Sequence, residues 1–150
     1  MNRRPSLPPE KADELNRLLR ASGEKQRSGE LREAMALGSR AWDLLPDPKE
    51  GWDFYPEIIA RSQMDQNVAA GDAQNAKRWI DRTYRAYGDE HHQDGAVNMM
   101  DGAALFELGL KGEAYAVFED VYNRLGREWF GGEYASHLEF LLKERARRRG

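Results

Sequence analysis

The residues with most chemical potential in this chain are two adjacent histidines in the stretch DEHHQD, Asp89 to Asp94. Imidazoles beside carboxylates are the raw material of a transition-metal site. Ligation requires side chains that converge, however, and neighbours in a loop seldom do. The HExxH spacing that would set two imidazoles on one helical face is absent. The stretch therefore reads as a polar loop, and no metal ligands are assigned. His137 stands alone and reads as a surface or capping histidine rather than a base. Carboxylates number 26, so some will be close in any fold, but an acid/base pair also needs a cleft and one raised pKa. GREWFGG, with Gly126, Gly131 and Gly132, lacks the strand and the glycine order that cradle phosphate. With no cysteine, thiol catalysis, disulfides and thiolate metal sites are excluded. The expectation is a binding protein rather than an enzyme, without cofactor or small-molecule substrate.

Composition narrows the kind of partner. The 150 residues suit one domain, expected over 1–150. Four tryptophans and 10% aromatic residues supply a core, while 33% charged residues keep it thin. Mean hydropathy is −0.85, no apolar run is long enough to span a bilayer, and MNRRPSLPPEKADEL has no apolar stretch behind its arginines. A cytoplasmic protein without a secretory signal or membrane association is expected. Net charge is −3, but Arg3, Arg4, Arg145, Arg147, Arg148 and Arg149 crowd the ends. Without them, seventeen basic residues face 26 acids. Such a body repels nucleic acid and attracts basic partners. The KERARRRG end reads as a solvated helix terminus.

The elements that must carry any site are helices, because strand and hairpin signals are nearly absent. Three segments align on a glycine followed five residues later by alanine: GELREA from Gly29, GDAQNA from Gly71 and GLKGEA from Gly109. Counting from Ala34, Ala76 and Ala114, position +3 holds Leu37, Trp79 and Val117, and position +7 holds Ala41, Thr83 and Val121. Trp42, Tyr84 and Tyr122 follow at +8, and Leu45, Tyr87 and Leu125 at +11. These offsets share one helical face. Pro46, Gly88 and Gly126 then break each helix. A second helix precedes each segment. Leu15, Leu18 and Leu19 mark the first; Ile58, Ile59, Met64 and Val68 the second; Val97, Met100, Ala104, Leu105 and Leu108 the third. A final helix would turn Tyr134, Leu138, Leu141 and Leu142 inward. The expectation is all-α: three antiparallel pairs at about 9–46, 52–88 and 94–126, stacked as a short superhelix, with a capping helix over about 132–147.

GELREAMALGSRAWDLLP resembles the second helix of a tetratricopeptide repeat through Gly29, Ala34, Ala41 and Pro46. Ile80 and Phe118 occupy that family's large apolar position, Gly38 departs from it, and Gly102 fits the small position of a first helix. The first helices otherwise match poorly, and the spacings of 42 and 38 residues exceed the family's roughly 34. WDLLPDPKEGWD together with LGREWFGGEYASHLEFL is similar to a group of short bacterial tetratricopeptide-like proteins. That resemblance implies an immunity protein that binds and neutralises a polymorphic toxin.

Within this frame, PDPKEG is the elbow between the first two pairs, with Trp52 packing across it and Asp47, Lys49 or Glu50 as secondary partner contacts. Trp129 and Phe130 fill the space between the third pair and the last helix, or else form an exposed aromatic anchor for a partner. Helical repeats bind partners on the surface lined by their first helices. That surface draws on Asp53, Glu57, Arg61, Asp65, Asn98, Asp101 and Glu107. It is acid-rich, which suits a basic toxin domain. The alternative is an adaptor or chaperone holding a peptide; six scattered lysines count against the version that clamps acidic chain ends.

Overall fold

A computed structural model describes residues 4–150; Arg3, one of the terminal arginines, lies outside them. Among the described residues there are seven α-helices, three short 3-10 turns and no strand. The helices are α1 (Pro9–Arg27), α2 (Leu31–Leu44), α3 (Tyr55–Ala69), α4 (Ala73–Ala86), α5 (Gly95–Glu107), α6 (Lys111–Leu125) and α7 (Ala135–Arg149). The chain divides into two compact units, the first ending at Glu90 and the second running from His91 to Gly150. The division falls inside the DEHHQD loop.

One local device makes each hairpin. At the end of α1, Gly29 adopts φ +81° and its N–H donates to the Gln26 carbonyl, while the Glu30 N–H reaches back to Lys25. Gly71 and Gly109 repeat the arrangement at φ +73° and +83°, with Asp72 bonding to Asn67 and Leu110 to Leu105. This left-handed cap satisfies carbonyls that the helix leaves open, and it favours a residue without Cβ. It also explains why the three segments align on glycine. The alanines five residues on (Ala34, Ala76, Ala114) are wholly buried, as are Ala41, Thr83 and Val121 at +7. Small side chains at these positions let the paired helices approach closely.

In the first unit α1 packs on α2, α2 on α3 and α3 on α4. Helix α3 is therefore buried on more than one side. Ile59, Met64 and Val68 are buried, as sequence periodicity indicated, but so are Gln63, Gln66 and Asn67. Those amides make a polar seam. The Gln66 Nε2 donates to Ser22 Oγ (3.2 Å) and Gln26 Oε1 (3.1 Å), and the Ser22 hydroxyl donates to the Ala34 carbonyl (2.7 Å). Such bonds offset the desolvation of buried amides and fix the register of α1 and α2 on α3.

In the second unit α5 packs on α6 and α6 on α7. Its centre is Phe118, fully buried, with Phe130, His137 and Phe140 within 6.5 Å of its ring. Phe130 fills this space as expected. Trp129 departs from that expectation: it is 38% exposed and lies over Gly95, where an added Cβ would fall 2.8 Å from the indole. Leu141 is buried, whereas Leu142 is exposed, because the arginines of α7 share the face turned to α6. Arg145 lies over Tyr122 (4.7 Å) and Arg148 over Tyr115 (4.0 Å). Part of the basic terminus thus packs on aromatic rings rather than extending into solvent.

Candidate functional site

The elbow WDLLPDPKEGWD closes on itself. The Lys49 ammonium donates to the carbonyls of Trp42 (3.2 Å), Asp43 (3.1 Å) and Leu45 (2.8 Å), at the C-terminal end of α2. A cation there satisfies open carbonyls and complements the helix dipole. The Trp52 indole N–H donates to the Pro46 carbonyl at 2.8 Å. Lys49, one of the three secondary partner contacts considered, is thus committed to holding the joint.

That joint presents Trp42 to α4. The rings of Trp42 and Trp79 meet edge to face at 5.4 Å and 85°. The Arg82 guanidinium covers Trp79 at 4.4 Å and reaches Trp42 at 5.9 Å. Beside them opens a groove of about 630 Å³ between α2 and α4. Arg32, Met35, Ala36, Ser39 and Asp43 form one wall; Asp72, Asn75, Arg78 and Arg82 form the other; Gln63 and Asn67 of α3 lie between. On α2 the wall residues recur at intervals of three and four, the stripe a helix presents to one side.

Charge in the groove opposes the balance of the whole chain. Four cations (Arg32, Lys49, Arg78 and Arg82) face two carboxylates (Asp43 and Asp72). Asp72 is occupied: it caps α4, accepting from the Asn75 backbone N–H at 3.1 Å and the Asn75 side chain at 2.8 Å. The backbone bond first, then the side-chain bond, holds its carboxyl below the usual range. Lys49 is committed to the elbow. Arg32, Arg78 and Arg82 have no ion-pair partner among the described residues. Gln63 is only 2% exposed; its Nε2 donates to the Met35 carbonyl at 3.1 Å and its Oε1 has no donor. No histidine lines the groove, and its one uncommitted carboxylate has no nucleophile beside it. Such a set can recognise anions and bury apolar surface.

The residues expected to contact a partner fall elsewhere. Asp53, Arg61 and Asp65 are exposed, and Glu57 is half-buried 3.7 Å from Arg4. The Arg61 guanidinium donates to the Tyr87 hydroxyl at 3.4 Å. In the second unit Glu107 is exposed, but Asn98 and Asp101 are only 3% and 9% exposed. Asn98 is a structural amide: its Nδ2 donates to the His92 carbonyl (3.0 Å), and its Oδ1 accepts from Arg124 (2.8 Å). Arg124 also donates to the Gln93 carbonyl at 2.9 Å, so the two side chains pin the His91–Asp94 loop. His91 and His92 are exposed there, and no group of three potential ligands converges among the described residues.

Sequence reasoning missed the groove because it placed the binding face on the first helices. The signal was present in the second helices, as arginines outside the aligned positions interleaved with the tryptophans that occupy them. It also missed Phe54, more than half exposed and at φ +71° before α3. An exposed ring on a strained backbone beside Asp53 has the shape of an interface anchor. Comparison of the chain with protein-family models, curated proteins and solved structures returns no match.

Proposed function

We propose that this chain is a protein-binding helical-repeat module and that it serves as an immunity protein, binding and neutralising a cognate toxin in the cytoplasm. The observation that carries the binding role is the groove between α2 and α4, where three arginines without ion-pair partners gather beside the Trp42–Trp79 pair. Aromatic rings with arginine are the side chains that dominate protein interfaces. Support for the toxin as partner comes from the resemblance carried by WDLLPDPKEGWD and LGREWFGGEYASHLEFL. Membrane insertion is not needed for this role, and no helix among the described residues is long and apolar enough to cross a membrane.

The partner's charge follows from one acidic surface of the first unit. Asp53, Glu57 and Asp65 offer carboxylates that steer a basic toxin domain. The Arg4–Glu57 contact does not oppose this, because a partly exposed ion pair at 3.7 Å contributes only about 0–1 kcal/mol. The adaptor reading is favoured by one feature, the length of the groove along α2.

The test is co-expression with the toxin domain encoded in the adjacent reading frame. Protection of the cells and co-elution of the two chains are expected. The combined Asp53→Lys, Glu57→Lys and Asp65→Lys variant should keep its helical circular dichroism and slow association most at low salt. Asp101→Lys does not belong in that set, because it would place a cation at a buried position. Absence of both protection and co-elution would remove the immunity role and leave the adaptor.

A further inference from the structure

We propose that the groove between α2 and α4 is a receptor for an extended acidic segment of a partner protein, held by Arg32, Arg78 and Arg82. The inference rests on reading the chain as a protein-binding module and names the chemistry that the groove selects. Length is the first argument. From Arg32 to Asp43 the α2 wall spans eleven residue steps, about 16 Å at the helical rise of ~1.5 Å per residue. An extended chain covers that distance in about five residues.

Charge is the second argument. The Arg82 guanidinium carbon lies over the Trp79 ring, 4.4 Å from its centroid, so the ring restrains the cation and shields part of it from water. Arg82 lines the groove without an ion-pair partner among the described residues, and a carboxylate is the acceptor whose two oxygens match its fork of N–H groups. Arg32 and Arg78 are exposed on opposite walls, with no carboxylate among the described residues at ion-pair distance. Alternate acidic side chains of an extended segment point to opposite sides, which matches one arginine on each wall. Of the two carboxylates in the groove, Asp72 is already committed to capping α4, which leaves Asp43 alone against three arginines.

Nucleic acid, the other polyanion, is disfavoured by the same geometry. Single strands bind by stacking bases on open aromatic faces. Here both tryptophans are buried, and the guanidinium occupies the face over Trp79.

The probe is a fluorescein-labelled peptide with five consecutive glutamates, followed by anisotropy on the full chain. Saturable binding that weakens with salt is expected. Arg82→Gln should weaken it at least about tenfold, the scale of one charge-assisted hydrogen-bonding group. Arg32→Gln and Arg78→Gln, both on exposed side chains, should each weaken it several-fold with unchanged circular dichroism, so the result does not depend on one variant's folding. Arg40→Gln, on α2 but outside the groove, should leave it unchanged. A five-glutamine peptide should not bind. Equal losses in Arg40→Gln and the groove variants would overturn the proposal, as would oligothymidylate binding as tightly as the glutamate peptide. Failure of the glutamate peptide alone, with the toxin complex still forming, would overturn the groove's role and leave the protein-binding reading standing. Failure of both would remove both.

Discussion

Gln63 lies flat on α2 because residue 38 is glycine. Its Nε2 donates to the Met35 carbonyl at 3.1 Å, and a Cβ on Gly38 would fall 2.7 Å from its Oε1 and 3.0 Å from its Cδ. The pair joins the two helix hairpins of the first unit at the floor of the groove. Alanine in mid-helix ordinarily gains up to about 1 kcal/mol over glycine. Gly38→Ala should instead destabilise by about 1–2 kcal/mol, because the amide, only 2% exposed, must give up its bond to the Met35 carbonyl. In a Gln63→Ala background the same change should become stabilising. Urea unfolding of the four members of this cycle checks it, and a Gly38→Ala effect of the same sign in both backgrounds would refute the coupling.

That pair shows what the sequence could and could not convey. The helices, their glycine turns and the small residues at Ala34, Ala76 and Ala114 are legible because each follows from a local rule: a period, a left-handed cap or a close approach. Gly38 looked like a departure from the tetratricopeptide pattern. Its reason lies 25 residues away on another helix, and no local rule reaches that far. The groove failed to be read for a related cause. Arg32, Arg78 and Arg82 look like ordinary solvated positions on their own helices, and become a site only when Trp42 and Trp79 bring α2 and α4 together. Asn98 and Asp101 erred in the opposite direction. Polar side chains on a first helix read as surface in the sequence, but α5 is buried over much of its circumference.

Gly102 and Phe118 form a second close approach, at the centre of the other unit. A Cβ on Gly102 would lie 2.4 Å from the Phe118 ring, which is wholly buried. The ring cannot retreat, because Phe130 and His137 stand 5.8 Å and 5.1 Å from it. Gly102→Ala should therefore cost about 1–3 kcal/mol, the usual penalty for overpacking. Adding Phe118→Leu should recover part of that loss. Calorimetry on the single and double variants decides; full tolerance of Gly102→Ala would mean α5 and α6 can separate freely.

Lys49 separates a structural from a binding role. Its ammonium serves three carbonyls at the end of α2. Lys49→Met keeps the aliphatic stem and removes the donor, and should destabilise the first unit by about 1 kcal/mol. The loss should persist at high salt better than that of an exposed ion pair, since directed hydrogen bonds are less screened. Unchanged urea midpoints would show that the elbow holds its shape without the cap.

His137 gives the second unit a dependence on pH. Its ring lies among Phe106, Phe118 and Tyr134 at 5.2, 5.1 and 5.8 Å, and its Nδ1 is buried without a partner. Burial is the main cause holding its pKa below the ordinary histidine value, against the smaller opposing pull of Glu107 and Glu133. The folded state thus binds the proton less readily than the unfolded state, whose histidine titrates near about 6.5. Protonation favours unfolding, so this contribution to stability is fully present above about pH 6.5. It declines as pH falls below that value, and levels off only beneath the depressed folded pKa. Unfolding free energies measured by denaturant between about pH 8 and 5 should show this decline. His137→Leu should remove it, leaving the shallower slope due to carboxylates. The difference between the two profiles isolates the imidazole, and two parallel profiles would show that water or a local opening solvates the ring in the native state.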